Sequence, residues 1–197
     1  CESMSTPTPR LPAAERRRQL LDTARSLFAE RGFHTTAMND IAEAAGVTKP
    51  VLYQHFSSKR DLYREVLLDV GGRLEDTIAK AAAGAPGPRE QVEAGMIAYF
   101  RFVADDQDAF EVLFGGDNGR DPEFARLMAD TETSIAGAIA GLIAVEGIAA
   151  DHQTLLAHAL VGLVEGASRR WLASGRRDDP ELLARRVAEM AWAGLRG

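Results

Sequence analysis

The tightest constraint on this chain lies in residues 35–59, TTAMNDIAEAAGVTKPVLYQHFSSK. The stretch holds two short helices with one glycine between them. Met38, Ile41, Ala42 and Ala45 recur at helical spacing and give the first helix one apolar face. Thr36 is placed to cap its start, and Asp40 sits in its first turn, where the helix dipole favours a carboxylate. Gly46 ends it by supplying a residue that enters the left-handed region freely. Thr48 is placed to cap the second helix, and Pro50 sits early in it, where a missing N–H costs little. Leu52 and Phe56 are four apart and face inward. Lys49 and Tyr53 are also four apart on a different face, so they point outward together.

That outward face carries a lysine, a tyrosine hydroxyl and the Gln54 amide, flanked by Pro50, Val51 and His55. Such groups suit phosphate oxygens and base edges. The layout is the one that places a single helix in the major groove of DNA. Two short helices round a glycine turn equally describe a piece of helical core. The cationic and aromatic residues, with Arg16-Arg17-Arg18 upstream, favour the DNA reading.

The segment resembles the N-terminal domain of the TetR family of bacterial transcriptional regulators. A threonine pair, an aspartate-isoleucine-alanine step and then AGVTKPVLYQHFSSK follow the family pattern nearly residue for residue. The resemblance implies that Lys49, Pro50, Val51 and Tyr53 approach base edges, with Gln54 as a further candidate. It implies phosphate contacts from Thr36, Tyr53, His55 and Lys59. Ala37 stands where other members carry a longer polar residue, which leaves a base contact from that helix without a donor.

The net charge of −6 suits this reading only when divided along the chain. Residues 1–67 carry ten Lys/Arg against eight Asp/Glu, net +2, and residues 68–197 carry thirteen against twenty-one, net −8. An acidic second part keeps that surface off phosphate and favours one binding orientation. No apolar run reaches the length needed to span a bilayer, and no signal peptide is visible. The single cysteine, Cys1, precedes Met4, and Cys1-Glu2-Ser3 reads as an expression remnant. Disulfides and thiolate metal sites are therefore not expected, and a cytoplasmic location fits.

Three parts are expected: a disordered tail over 1–11, a helix-turn-helix domain over 12–57, and a helical effector-binding and dimerisation domain over 58–197. The first helix runs from Pro12 to Arg31, with Leu20, Leu21, Ala24, Leu27 and Phe28 as its inner stripe, and Gly32 stops it. Ser57-Ser58 caps a long fourth helix reaching about Ala83. Gly71-Gly72 lowers helix propensity in its middle by about 1 kcal/mol per glycine. That pair marks either a soft point or close helix packing. Further helices fit residues 89–104, 106–115, 121–145, 151–174 and 179–194. The fold expected is all-α, with about nine helices.

In the family the last two long helices usually build a homodimer. Here Leu156, Leu160, Leu163, Ala167 and Trp171 form one apolar band, and Leu183, Val187 and Met190 another. Gly162 and Gly166 would let a second helix approach. Paired across a two-fold axis, these helices make a four-helix bundle. Two recognition helices about 34–36 Å apart then read a palindromic operator. The family also encloses a small-molecule pocket. Tyr99, Phe100, Phe102, Phe110, Leu113, Phe114, Phe124 and Met128 concentrate in the fifth to seventh helices, as core or as cavity lining, and an effector among them is largely apolar. Arg10-Leu11-Pro12, the run from Lys49 to Phe56 and Phe110-Glu111-Val112-Leu113-Phe114 resemble actinobacterial members that govern fatty-acid synthesis and respond to long-chain acyl-coenzyme A.

The resemblance thus implies a ligand-responsive regulator, in the first instance a repressor, with no catalytic residues, metal or cofactor. His34, His55, His152 and His158 make no metal-spaced pair, Ser168 lacks a nucleophile-elbow context, and Asp105, Asp106 and Asp108 read as helix caps. The competing reading is a helical lipid-binding or interaction module without DNA binding; the Lys49–Tyr53 face argues against it.

Overall fold

A computed structural model describes residues 11–115, 120–142 and 149–195. Among these residues there are nine helices and no strand: α1 (Ala13–Thr35), α2 (Met38–Ala44), α3 (Lys49–His55), α4 (Lys59–Ala83), α5 (Pro88–Asp105), α6 (Gln107–Phe114), α7 (Pro122–Leu142), α8 (Ala150–Ala173) and α9 (Pro180–Leu195). The all-α expectation holds. The bounds of α5, α6, α8 and α9 each fall within one residue of the sequence reading. The expected tail lies outside the described residues except for Leu11, which is exposed. So do Cys1-Glu2-Ser3 and residues 143–145.

Two compact units divide between Val66 and Leu67, inside α4 rather than ahead of it. The first turns of α4 bury Leu62, Tyr63 and Val66, which is why they belong with the first unit. Tyr63 meets Phe28 edge-on at 4.8 Å and tilts against Phe33 at 4.9 Å between ring centroids. Leu20, Ile41, Leu52 and Phe56 complete this core, each almost fully buried. The Arg17 guanidinium lies 5.0 Å over the Phe56 ring and pairs with Glu65 at 2.8 Å.

Local chemistry sets the helix ends. Gly32 breaks the regularity of α1 with φ 78° and ψ 163°, as its place in the sequence predicts. The α2–α3 turn is a Schellman motif: Val47 N–H donates to Ala42 C=O at 2.9 Å and Gly46 N–H to Glu43 C=O at 3.0 Å, with Gly46 at φ +66°. Gln19 Nε2 satisfies the Ala45 carbonyl at 3.2 Å, so α1 holds the turn from outside. Two capping expectations are corrected. Ala37, not Thr36, starts α2, and it is secured by its own N–H donating to the Asp40 carboxylate at 2.9 Å. Thr48 holds the N-cap position of α3 without a side-chain bond. At α4 the expectation stands, since Ser58 Oγ accepts from Asp61 N–H at 3.0 Å. The Asp61 carboxylate in turn accepts from Ser57 N–H at 3.0 Å, and that bond holds its pKa below the usual range.

The second unit packs α5 against α9 and α7 against α8. The ion pairs Glu93–Arg185 and Arg101–Glu181 run in opposite sequence order, so α5 and α9 are antiparallel. Phe100 is fully buried and meets Trp171 edge-on at 6.5 Å. Asp106 caps α6 by accepting from Ala109 N–H at 3.0 Å and also takes Arg73 at 2.9 Å. Of the two α4 glycines, Gly71 has the packing role: a Cβ there would lie 3.0 Å from Thr131 Cγ2 of α7, while nothing lies within 4 Å of Gly72.

The turn at Gly46 yields a test. Space around it is open, so the cost of a side chain there is the backbone strain alone. Gly46→Ala should lower unfolding free energy by about 1 kcal/mol, read as a fall in urea midpoint with unchanged slope. An unchanged midpoint would mean the turn does not need the left-handed residue.

Candidate DNA-binding face and apolar pocket

On α3 the buried residue is Leu52, and Phe56 follows it inward. That anchor turns Lys49, Pro50, Tyr53 and Gln54 to solvent; Tyr53 is 43 % exposed. Lys49 Nζ stands 6.0 Å from the Tyr53 ring, the outer limit of a cation–π contact. Val51 and His55 are half-buried on the flank, beside Arg16, in a shallow depression. The structure thus brings six of the eight expected DNA-facing residues onto or beside one short helix.

The other two are placed differently. Thr36 is buried, and its hydroxyl donates to Gly32 C=O at 2.8 Å and Leu27 C=O at 3.3 Å. It closes the end of α1 and has no hydroxyl free for phosphate. Lys59 Nζ donates to the carbonyls of Phe33 at 2.7 Å, Thr36 at 2.9 Å and His34 at 3.3 Å, and lies 4.5 Å over the Phe33 ring. All three ammonium protons are engaged, so in this structure Lys59 is a clamp between the start of α4 and the end of α1.

In the second unit, α4, α5, α6, α7 and α8 line an apolar cavity. Its empty space measures about 780 Å³ counting the mouth, but the volume to compare with known cavities is about 60 Å³. The larger figure includes open solvent at the mouth, so the interior itself is slim. Of the expected residues, Tyr99, Leu113, Phe114 and Met128 line it. Four do not. Phe100 points the other way, onto Trp171; Phe102 carries the Arg73 guanidinium at 5.5 Å; Phe110 stacks behind Phe114 at 5.0 Å; Phe124 is buried elsewhere in the core. The lining that sequence reasoning missed comes largely from aliphatic positions, among them Ile78, Met96, Ile139, Val161 and Val164, and from one carboxylate, Glu132. That glutamate sits in a polar run of α7, Asp130-Thr131-Glu132-Thr133-Ser134, so nothing in the sequence set it apart.

Polar atoms in the lining are few. Thr131 Oγ1 donates to Leu127 C=O at 3.0 Å and Gln91 Nε2 to Ala85 C=O at 3.4 Å. Tyr99 Oη and Ser168 Oγ are buried with no hydrogen-bond partner among the described residues. A buried hydroxyl left unpaired costs on the order of 1–3 kcal/mol. Burial drives the Tyr99 phenol well above its ordinary pKa, with Ser168 opposing from nearby. The two hydroxyls therefore neighbour each other without meeting hydrogen-bond geometry. Burial, and then the Glu165 carboxylate, raise Glu132, and His158 opposes them.

The expected dimer residues also divide. Leu160, Trp171 and Val187 turn into the core. Leu160 lines the cavity, and Trp171 donates its indole N–H to Asp178 C=O at 3.0 Å. Leu156, Leu163, Ala167 and Leu183 are half-buried, and Met190 is exposed. The open face of α8 and α9 instead carries Leu155, Ala159, Gly162, Gly166, Leu182 and Met190. Nothing lies within 4 Å of a Cβ built on Gly162 or Gly166.

Comparison with known families decides the broader identity. The model described as "Bacterial regulatory proteins, tetR family" matches residues 20–66, and "Tetracyclin repressor-like, C-terminal domain" matches residues 88–194. The chain belongs to the TetR family. It is therefore a DNA-binding transcriptional regulator and not an enzyme. It is 34 % identical over 187 residues to the HTH-type transcriptional activator FasR of Mycolicibacterium smegmatis, covering 94 % of this chain and 85 % of that one. A TetR-like regulator from Rhodococcus sp. RHA1 superposes with a TM-score of 0.80 at 30 % identity, over 95 % of this chain and all of that one. The Bacillus subtilis regulator FadR, solved in complex with stearoyl-CoA, shares the fold with a TM-score of 0.76 at 18 % identity, over 88 % and 96 % of the two chains. Among the described residues, no helix is long and apolar enough to cross a membrane and no His/Cys/Asp/Glu group of three or more could hold a metal ion.

In this TetR-family chain the Lys59 clamp is testable apart from DNA. Lys59→Met keeps the alkyl stem and removes the donor from three carbonyls. Unfolding free energy should drop by about 1–2 kcal/mol, discounted for partial exposure, in urea titrations without DNA. No drop would mean that water satisfies those carbonyls and the ammonium is free for phosphate.

Proposed function

We propose that the chain acts in the cytoplasm as a homodimeric, ligand-responsive regulator that binds a palindromic operator and releases it when a long-chain acyl effector fills the apolar cavity. The observation that carries the DNA half of this reading is the exposed Lys49–Tyr53 face, anchored from behind by Leu52 and Phe56. Lys49, Pro50, Val51, Tyr53 and Gln54 meet base edges, while Tyr53 and His55 serve phosphates. A single α3 reads only a few base pairs, so specificity needs two copies on one face of the duplex. The open α8–α9 face, small at Gly162 and Gly166 and apolar at Leu155 and Met190, suits a second copy of itself.

The effector half draws on the cavity's apolar lining and on two relatives. FasR matches 94 % of this chain, and the FadR fold holds stearoyl-CoA in that protein. The same dimer represses where its operator overlaps a promoter and activates where it lies upstream. FasR is named an activator, so repression is one setting of the mechanism rather than a property of the fold. α4 gives Leu62 and Val66 to the first core and Ile78 to the cavity wall, so one continuous helix spans both functions. Effector and operator are then reciprocally linked: whatever factor the ligand takes from DNA affinity, DNA takes from ligand affinity.

Selecting bound duplexes from a random library should enrich a palindrome. Tyr53→Ala should weaken binding to it by roughly tenfold or more, about 1–3 kcal/mol, with unchanged melting temperature and effector affinity. Operator affinity equal to that of the parent protein would remove α3 from the interface. The dimer is tested by Gly162→Leu. One subunit has room for that side chain, and the helix gains about 1 kcal/mol of propensity. The variant should be folded yet monomeric by light scattering and unable to hold the palindrome; a dimer of parental affinity would place the interface elsewhere.

A further inference from the structure

Three consecutive arginines lie near the start of α1, and each meets a different partner. Arg17 pairs with Glu65 at 2.8 Å and lies over the Phe56 ring. Arg18 pairs with the Asp22 carboxylate at 3.1 Å. Arg16 meets no carboxylate among the described residues; its Nη1 donates to Gln19 Oε1 at 2.6 Å. That acceptor is neutral, so the guanidinium charge is uncompensated and most of its five N–H donors are unspent.

Arg16 also stands where a phosphate would come. It shares a depression with Thr48, Val51, Gln54 and His55, along the flank of α3 that faces α1. A helix with its side chains is about 10–12 Å across, and the major groove is about 12 Å wide. A recognition helix therefore fills the groove and brings its flanks against the two sugar-phosphate strands. The strand on the α1 side would run along this depression. Thr48 is exposed there with a hydroxyl that makes no cap bond, and no acidic side chain lines the wall.

Gln19 links that arginine to the orientation of α3. Its Nε2 donates to the Ala45 carbonyl at 3.2 Å while its Oε1 takes Arg16. Ala45 is the C-cap of α2, one residue before Gly46. One amide, occupied at both ends, thus ties Arg16 to the turn from which α3 departs.

We propose that Arg16 is a DNA contact, donating to a backbone phosphate on the α1 side of the groove, and that Gln19 is a positioning residue that holds α3 at its angle with Arg16 beside it; this rests on the operator reading above. Arg16 supplies affinity that is blind to sequence, and Gln19 supports specificity without touching a base.

The test measures affinity of the full chain, by fluorescence anisotropy across a salt series, for the selected operator and for a scrambled duplex of equal length. Arg16→Met should weaken both by a similar factor, roughly tenfold, and flatten log K against log salt by about 0.9 per arginine, nearly two per dimer. Arg16→Lys keeps the charge and should keep the slope. Gln19→Met should weaken the operator by roughly tenfold and the scrambled duplex by no more than about twofold, with the slope unchanged, because a loosened Arg16 still reaches phosphate. Gln19→Glu retains a partner for Arg16 but no donor for Ala45, and should lose the same ratio. Circular dichroism checks that each variant is folded. A slope unmoved in Arg16→Met overturns the phosphate contact while α3 remains the reading helix. An operator-to-scrambled ratio unmoved in both Gln19 variants overturns the positioning role. A parent protein that binds neither duplex overturns the operator reading and both roles with it.

Discussion

The DNA-facing half of the molecule depends on how the chain leaves α2. A helix that ends in a Schellman turn has two of its last carbonyls satisfied and its next residues aimed in a fixed direction. Gly46 makes that possible with φ +66°, and the bonds from Val47 and Gly46 back to Ala42 and Glu43 lock it. Everything useful on α3 follows. Once its start is fixed, burial of Leu52 sets its rotation, and rotation sets which side chains face outward. A seven-residue helix has little intrinsic stability, so Lys49 and Tyr53 are presented by tertiary packing. Gln19 on the Ala45 carbonyl and Arg17 over Phe56 contribute to that packing from α1.

The pocket follows the reverse logic. Three helices come close where side chains are missing or small: Gly71 admits Thr131, and Gly95 meets Ile78 at 3.4 Å from its would-be Cβ. Close approach at those points leaves the aliphatic positions between them facing a slim gap. The aromatic residues stay mostly outside it. Phe100 is instead the pillar between α5 and Trp171, and Phe110 backs Phe114 rather than opening beside it.

The contrast explains what was legible from sequence. Helix positions, ends and the Lys49–Tyr53 face depend on residues three to five apart, and periodicity reports those. Thr36 and Lys59 fit a phosphate-binding pattern, but their partners lie elsewhere. Lys59 reaches carbonyls 23 to 26 residues away, and Thr36 turns back onto α1. No spacing rule contains that. In α5, Tyr99 lines the cavity while Phe100, about 100° round the helix, packs on Trp171 instead. Being aromatic placed both in the core without saying which side. The same limit governed α8. Its apolar band is wider than one face, and only packing separates Leu160 and Trp171, turned inward, from Leu155, left outside.

Under the proposed function, one chain both senses a ligand and binds DNA. A recognition helix must be rigid to discriminate bases, whereas an effector cavity must yield to admit a ligand. Here the two demands fall on different units. The first is closed by the Gly46 turn, by the Ser58 cap of α4 and by an aromatic cluster around Tyr63. The second keeps unsatisfied hydroxyls and a slim cavity among its helices. In the proposed function, a ligand that supplies an acceptor to such a hydroxyl recovers the cost of leaving it unpaired. Coupling to DNA in the proposed function depends on differential contact rather than on affinity.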